Sequence, residues 1–300
     1  MATIAAVPSA PADALPRQQS LFWQFVKSQP LGIIGFLVIL LYVVCAFGAA
    51  WISPYDPEAI DFGAMLGAPG REHWFGTDQY GRDVFSRIVY GARTALAVGI
   101  LSAVVGCTVG ALVGAVSGYF GGRIDNWIQR VVDIMLSFPI IVLAMVVVAV
   151  LGKQNVGGID TNLIVAIALP IVPKMARVAR ASTLSIVAMP FIDAARAAGF
   201  SHSRIVLRHI LPNIVAPYLS LVTAFIAQAI LLEASLSFLG LGVTEPTPAW
   251  GLMLSGASAD FYQTAPWMIL FPGLAITLAV FAFNLFGDSL RDWLDPKLKS

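Results

Sequence analysis

Residues 191–213 read FIDAARAAGFSHSRIVLRHILPN and lie between two strongly apolar stretches of the chain. The alanine-rich start favours a short helix, and Gly199 is placed to end it. The residues that follow mix apolar and basic side chains, as in a second helix lying on a membrane face, and Pro212 is expected to close that helix. A polar element of this kind between apolar runs predicts a segment that a partner binds from the aqueous side.

The composition is that of a polytopic membrane protein. Of the 300 residues, 58% are hydrophobic and 12% are charged, and the mean hydropathy is +0.82, whereas a soluble domain carries about 25% charged residues. The formal net charge of +1 supplies no basic field for nucleic acid. Cys45 and Cys107 both fall inside apolar runs, so we expect neither a disulfide nor a metal site.

Five long uncharged runs, and a shorter sixth that continues into the basic residues Lys174, Arg177 and Arg180, predict an all-α fold with six transmembrane helices. Each run approaches or exceeds the length needed to cross a hydrocarbon core of about 30 Å at about 1.5 Å per residue. The predicted spans are residues 31–52, 94–118, 131–151, 161–180, 212–236 and 266–287. Residues 1–27 are predicted to form a cytosolic tail, and residues 28–300 the transmembrane domain.

The distribution of basic residues predicts the orientation. With the amino terminus inside, most of the 18 Lys and Arg residues fall on the cytoplasmic side, where positively charged loops are retained. An even number of spans then places both termini in the cytoplasm. The first outer loop is the exception, because it carries four arginines.

Two further patterns concern packing and turns. Glycines recur at every fourth residue of the second span, which predicts a groove for close approach of a neighbouring helix. These glycines are Gly106, Gly110, Gly114, Gly118 and Gly122. Residues 240–265 contain the turn-rich sequence EPTPAWG, which indicates a re-entrant or surface-lying loop with Trp250 at the level of the lipid headgroups.

Four residues are the candidate contact points of the polar segment. Asp193 lies in the first helical turn, where its charge complements the helix dipole. Ala194 and Ala195 keep the helix thin, so that a partner's cleft can approach its backbone. Gly199 can adopt the left-handed conformation that ends a helix.

The segment resembles the coupling motif of ABC importer permeases, in which Glu-Ala-Ala is followed by a glycine and later by Ile-x-Leu-Pro. Asp193 replaces the glutamate here, and the end of the motif reads HILP at 209–212. Four other stretches resemble the second permease subunit of the dipeptide, oligopeptide and nickel importer family. They are HWFGTDQYGRDVFSRIVYGAR (73–93), GYFGGRID (118–125), SLSFLGLG (235–242) with PAWG (248–251), and NLFGDSLRDWLDPK (284–297). We call residues 191–213 the coupling segment.

The resemblance implies a type I ABC importer permease in the bacterial inner membrane. Its implied partners are a homologous permease, two cytosolic ATPase subunits and an extracytoplasmic binding protein that delivers di- or oligopeptides. ATP and magnesium would be bound by the ATPases, so no cofactor is expected in this chain. The motifs do not distinguish a peptide cargo from nickel or another small solute.

Independent sequence features bear on the alternatives. The chain contains no Gly-x-x-x-x-Gly-Lys-Ser/Thr motif and so has no phosphate cradle of its own. Its three histidines are scattered over loops, and no catalytic motif accompanies them, which predicts a non-enzymatic subunit. Glu233, near the end of the fifth span, is a candidate pathway residue because an acid inside a membrane is functional by default. The alternative is a secondary transporter or channel that works without ATP.

Overall fold

The structure is a computed structural model that describes residues 28–156, 159–256 and 260–294. Apart from short β pairings, the regular structure in these ranges is helical; β1 (Asn155–Val156) and β2 (Ile159–Asp160) form one antiparallel pair. The predicted cytosolic tail and the end of the 284–297 motif lie outside the described residues. The main helices are α1 (Pro30–Ile52), α2 (Val84–Phe120), α3 (Gly122–Ser137), α4 (Ile140–Leu151), α5 (Thr161–Ala168), α6 (Ile171–Val187), α7 (Pro190–Ala197), α8 (His202–Ile205), α9 (Val215–Phe238), α10 (Trp250–Met253) and α11 (Trp267–Leu294).

Four of the described helical stretches are long and apolar enough to cross a membrane. They are Pro30–Ile52, Val84–Phe120, His202–Phe238 and Trp267–Trp293. Two bent helix pairs, α3 with α4 and α5 with α6, bring the number to six if each pair counts as one span. The described chain is therefore an all-helical membrane protein.

The span predicted over 131–151 is not one continuous helix. Helices α3 and α4 meet at an angle of 97°, and the break falls at Phe138 and Pro139. Phe138 adopts an extended conformation with ψ of 138°, which is the conformation that a following proline imposes on its neighbour. Helix α4 is only 12 residues long, or about 18 Å at 1.5 Å per residue, so it cannot cross a membrane alone.

Helix α2 is the centre of the fold. It is 37 residues long, and it begins ten residues before the predicted second span because Asp83 caps it by accepting a 2.7 Å hydrogen bond from the Ser86 amide. It packs against α6, α9 and α1. Its row of glycines faces α6, which confirms the predicted packing groove: a Cβ at Gly110 would lie 2.6 Å from the Val172 carbonyl oxygen.

The glycine row ends one member earlier than predicted. Helix α2 stops at Phe120, and Gly121 follows with a positive φ of 62°. Gly122 therefore begins α3 instead of extending the groove.

Trp250 lies in the protein interior and not at a headgroup surface. Its side chain is 1% exposed, and its indole Nε1 donates a 2.9 Å hydrogen bond to the Ile88 carbonyl. Gly91 makes room for the ring, since a Cβ there would lie 2.6 Å from Trp250 Cδ1. The loop after α9 is thus folded back onto the first part of α2.

Candidate functional site

The first half of the coupling segment is helix α7, which presents one face to solvent. Asp193 and Ala194 lie on that exposed face, whereas Ile192 and Ala195 are buried against the rest of the chain. Asp193 accepts a 3.3 Å hydrogen bond from Arg196, with most of its side chain still exposed. Three of the four candidate residues, including Gly199, are therefore accessible to a partner, and Ala195 is not.

Helix α7 ends in a Schellman motif centred on Gly199. The amide of Gly199 donates to the Arg196 carbonyl at 3.0 Å, and the amide of Phe200 donates to the Ala195 carbonyl at 3.1 Å, which is the bond pattern of this cap. Gly199 has a φ of +76°, so the predicted left-handed conformation is confirmed. A Cβ at this position would meet nothing within 4 Å.

The second half of the coupling segment continues into α9 without a stop, contrary to the expectation that Pro212 closes it. Residues 206–210 wind as a π-helix and residues 211–214 as a 3₁₀-helix, and the whole path from His202 to Phe238 forms one spanning helix. The amide of Leu211 donates five residues back, to the Val206 carbonyl. This wider turn accommodates the proline, which has no amide hydrogen and whose ring needs room at the preceding turn.

The coupling segment contacts the last turn of α2. The hydroxyl of Tyr119 and Nδ1 of His202 are 2.8 Å apart and share a hydrogen bond. The guanidinium of Arg196 lies 5.6 Å from the centre of the same tyrosine ring, within the range of a cation–π interaction. Both halves of the coupling segment are thereby attached to one residue of the central helix.

Glu233 is enclosed near the other end of α9. Its side chain is 1% exposed, and Oε1 accepts a 2.7 Å hydrogen bond from Ser237 Oγ. Ser237 Oγ in turn accepts from the Val243 amide at 3.3 Å. This chain of contacts joins α9 to the loop that follows it, and a pathway-lining role for Glu233 stays a prediction.

Two ion pairs join α3 to α6, and the sequence patterns did not indicate them. Asp125 accepts two hydrogen bonds from Arg180, at 2.6 Å and 2.5 Å, and Asp133 accepts one from Arg177 at 2.5 Å. Asp125 also accepts from Ser117 on α2. The only sequence indication of these pairs was that Asp125 belongs to the 118–125 motif. No spacing rule connects Asp125 to Arg180, which is 55 positions away.

A cluster of buried charges lies where α2 begins. Arg82 and Arg87 are 4% and 1% exposed. Arg82 donates to Asp78 at 2.6 Å and to Glu245 at 2.5 Å, and Arg87 donates to the Pro57 carbonyl at 3.0 Å. Burial lowers the pKa of Arg82, but hydrogen bonds and charges from Glu245 and Asp78 outweigh it and raise the pKa above its ordinary value. Two of the four arginines of the loop predicted to lie outside are thus paired with acids inside the protein.

Two cavities adjoin this region. The smaller, of about 190 Å³, is lined by Arg82, Arg87, Asp78, Gln79 and Glu245 among others, and we call it the arginine pocket. The larger, of about 850 Å³, is lined by side chains of both charges. These are Asp56, Glu58, Asp160, Arg93 and Lys153.

Among the described residues, no three His, Cys, Asp or Glu side chains are grouped so that they could hold a metal ion.

Comparison with known proteins identifies a family over most of the chain. Residues 106–300 match the family described as binding-protein-dependent transport system inner membrane component. Residues 18–69 match the N-terminal TM domain of oligopeptide transport permease C.

Individual proteins are similar over nearly the full length. The glutathione transport system permease proteins GsiD of Escherichia coli O6:K15:H31 (strain 536 / UPEC), Escherichia coli O157:H7 and Shigella boydii serotype 4 (strain Sb227) are each 44% identical over 299 residues, covering 99% of this chain and 97% of the relative. Among solved structures, inward facing conformations of the MetNI methionine ABC transporter match with a TM-score of 0.48 and 19% identity, over 69% of this chain and 97% of that chain.

Proposed function

This chain belongs to the family of binding-protein-dependent transport system inner membrane components and is the permease subunit of an ABC importer, and from this premise we propose its part in the assembly. It pairs with a homologous permease to form the pathway. Two cytosolic ATPase subunits bind ATP and magnesium, and an extracytoplasmic binding protein delivers the cargo. The chain itself holds no cofactor and catalyses no reaction.

The proposed location is the bacterial inner membrane, with both termini and the coupling segment in the cytoplasm. The excess of Lys and Arg on that side supports this orientation. The four arginines of the first outer loop are the exception to this bias, and two of them, Arg82 and Arg87, are paired with acids inside the folded protein.

The proposed coupling surface is the exposed face of α7, with Asp193, Ala194 and Gly199 against the ATPase. Ala195 serves the opposite purpose: its small, buried side chain lets α7 lie close to the rest of the permease. The observation that carries the proposal is the continuity of the helical path from His202 to Phe238, combined with the Tyr119–His202 hydrogen bond. A displacement of α7 is therefore passed as a rigid-body motion to two helices that cross the membrane.

The proposed cargo is a short peptide. The 44% identical relatives are named for glutathione transport, and glutathione is itself a tripeptide. The larger cavity supports this class of cargo, because its volume falls within the range of about 300–1,000 Å³ typical of small-molecule sites and its lining carries charges of both signs. A zwitterionic peptide has a positively and a negatively charged end, so its site needs side chains of both charges.

The ATP-independent alternative is not favoured, because the family to which the chain belongs works with a binding protein and an ATPase. The deciding experiment compares vesicles that contain the complete importer with vesicles that contain this chain alone. We expect uphill peptide uptake only with the complete importer, and only when ATP is supplied on the side of α7. Uphill accumulation by this chain alone would overturn the proposal.

A further inference from the structure

The arginine pocket contains a buried cation that is incompletely paired. Nη2 of Arg87 lies in the protein interior and makes no hydrogen bond to any described residue, although the side chain is only 1% exposed. Its nearest acid is Glu245, whose Oε2 is 3.6 Å away, too far for a hydrogen bond. A buried arginine nitrogen without an acceptor is unfavourable, so the pocket retains the capacity to bind one more acceptor group.

The two acids of the pocket are held differently. Asp78 is buried, and it accepts from the Arg82 side chain and from the amides of Tyr80 and Arg82. Glu245 is 46% exposed and reaches Arg82 from the loop after α9. Asp78 is therefore a fixed part of the pocket, whereas Glu245 enters it from the surface.

Charge balance defines what could replace Glu245. With Glu245 in place, Arg82 and Arg87 face two carboxylates within 4 Å, those of Asp78 and Glu245. Without Glu245, the two arginines share Asp78, and only the more distant charge of Glu58 acts on Arg87; leaving a buried charge without a close partner is strongly unfavourable. Only another anionic group restores the balance, and a carboxylate matches the geometry of a guanidinium.

We propose that the arginine pocket is a docking point for an acidic side chain of the extracytoplasmic binding protein, and that Glu245 occupies this point in the undocked permease. The inference rests on the proposed function, which places the start of α2 on the outer side and supplies the binding protein. On docking, the incoming carboxylate pairs with Arg82 and Arg87, and Glu245 is released to solvent.

The size of the pocket favours a protein side chain over the cargo. Its volume of about 190 Å³ holds a carboxylate with its stem, but it is below the lower limit of about 300 Å³ for sites that enclose a small molecule. A buried ion pair with two arginines would also slow the release of cargo, because such pairs act mainly on the dissociation rate.

The pocket is connected to the membrane-crossing helices. Arg87 lies on α2 and donates to the Pro246 carbonyl at 3.3 Å, next to Glu245. Thr94, two turns further along α2, donates to the Pro248 carbonyl at 3.2 Å. Movement of the Glu245 loop would therefore displace α2, the helix that carries Tyr119 at its other end.

The test measures binding of the cognate binding protein to the complete importer in nanodiscs, comparing wild type with Glu245→Gln. Loss of the internal competitor is expected to tighten binding by about three- to tenfold. Glu72→Gln is the matched control, because Glu72 is an exposed acid of the loop before α2, outside the arginine pocket, and the net charge changes equally. Equal or weaker binding by Glu245→Gln, relative to Glu72→Gln, would overturn the proposal.

A second measurement identifies the incoming group. Each acidic residue on the docking face of the binding protein is changed to its amide and tested against wild type and Glu245→Gln. For one of these acids, the change to its amide should abolish the tighter binding seen with Glu245→Gln, which gives a coupling energy between that acid and Glu245. Arg87→Met should weaken binding of the binding protein, provided that this variant assembles. If no acid couples to Glu245, the pocket serves folding alone and the proposal fails.

Peptide uptake by the same preparations distinguishes failure of the docking point from failure of the proposed function. Wild-type uptake with unchanged docking by Glu245→Gln rejects only the docking point. Absence of ATP-driven uptake by the wild-type importer rejects the proposed function itself.

Discussion

Tyr119 and His202 are joined by a 2.8 Å hydrogen bond between the phenol oxygen and Nδ1 of the imidazole. Tyr119 belongs to the last turn of the central helix α2, and His202 begins the helical path that leads into α9. Arg196 of α7 lies over the same ring. The Tyr119 side chain thus contacts both halves of the coupling segment and fixes their relative position. The coupling segment is the part of the chain on which we propose that the ATPase acts.

Replacing Tyr119 by Phe tests this arrangement. The variant keeps the ring beneath Arg196 but removes the hydrogen bond, whose net contribution is about 1 kcal/mol. We expect the protein to fold normally and peptide uptake per ATP hydrolysed to fall about two- to fivefold. Tyr80→Phe removes a hydroxyl from the loop that precedes the opposite end of α2 and should leave this ratio unchanged; an equal loss in both variants would contradict the assignment.

Reversing the charge of Asp193 tests the exposed face of α7. The Asp193–Arg196 pair is solvent-exposed and contributes at most about 1 kcal/mol to stability, so Asp193→Lys should fold and insert. ATP-driven uptake and co-purification with the ATPases should both be lost, because a positive charge would replace the negative charge that we propose faces the ATPase. Asp133→Lys breaks a similarly exposed pair, with Arg177, and should retain both; retention by Asp193→Lys would argue against this face as the ATPase contact.

The sequence patterns predicted those parts of the fold that depend on local rules. The glycine row of α2 and the left-handed Gly199 were predictable, because spacing and residue type alone determine them. The 97° bend at Pro139 was not, since a proline within a span indicates a kink but not its angle. The pairing of Arg82 and Arg87 with Glu245 escaped prediction, because it joins residues about 160 positions apart through tertiary packing.

Substitutions at Gly199 separate backbone conformation from contact with a partner. A side chain at φ of +76° is strained, by roughly 1–2 kcal/mol for most residues and less for Asn, but none of the described residues obstructs its Cβ. We expect Gly199→Asn to retain stability and much of the uptake, and Gly199→Leu to abolish uptake by holding the ATPase away. Gly240→Leu is the matched control, since Gly240 has a similar φ of +78°, ends α9 with the same pair of cap hydrogen bonds and has equally open space around it.

Melting temperature and ATP-driven uptake, measured together, decide the outcome for Gly199. Gly240→Leu should lose as much stability as Gly199→Leu and still transport. If Gly199→Leu transports as well as Gly240→Leu does, the side chain meets no partner and Gly199 acts only as a helix cap.

The glycine groove makes a prediction about stability that is independent of transport. A Cβ at Gly114 would lie 2.3 Å from the Ala176 carbonyl oxygen and 2.8 Å from Ala179 Cβ, and the obstacle is helix backbone that cannot rotate away. Gly114→Ala therefore forces α2 and α6 apart, and the free energy of unfolding should fall by about 1–3 kcal/mol. Gly273→Ala, in the open part of α11, should leave it unchanged or raise it by up to about 1 kcal/mol, because alanine is the better helix former. Thermal unfolding in detergent measures both variants, and a Gly114→Ala protein as stable as Gly273→Ala would show that close contact between α2 and α6 does not hold the bundle together.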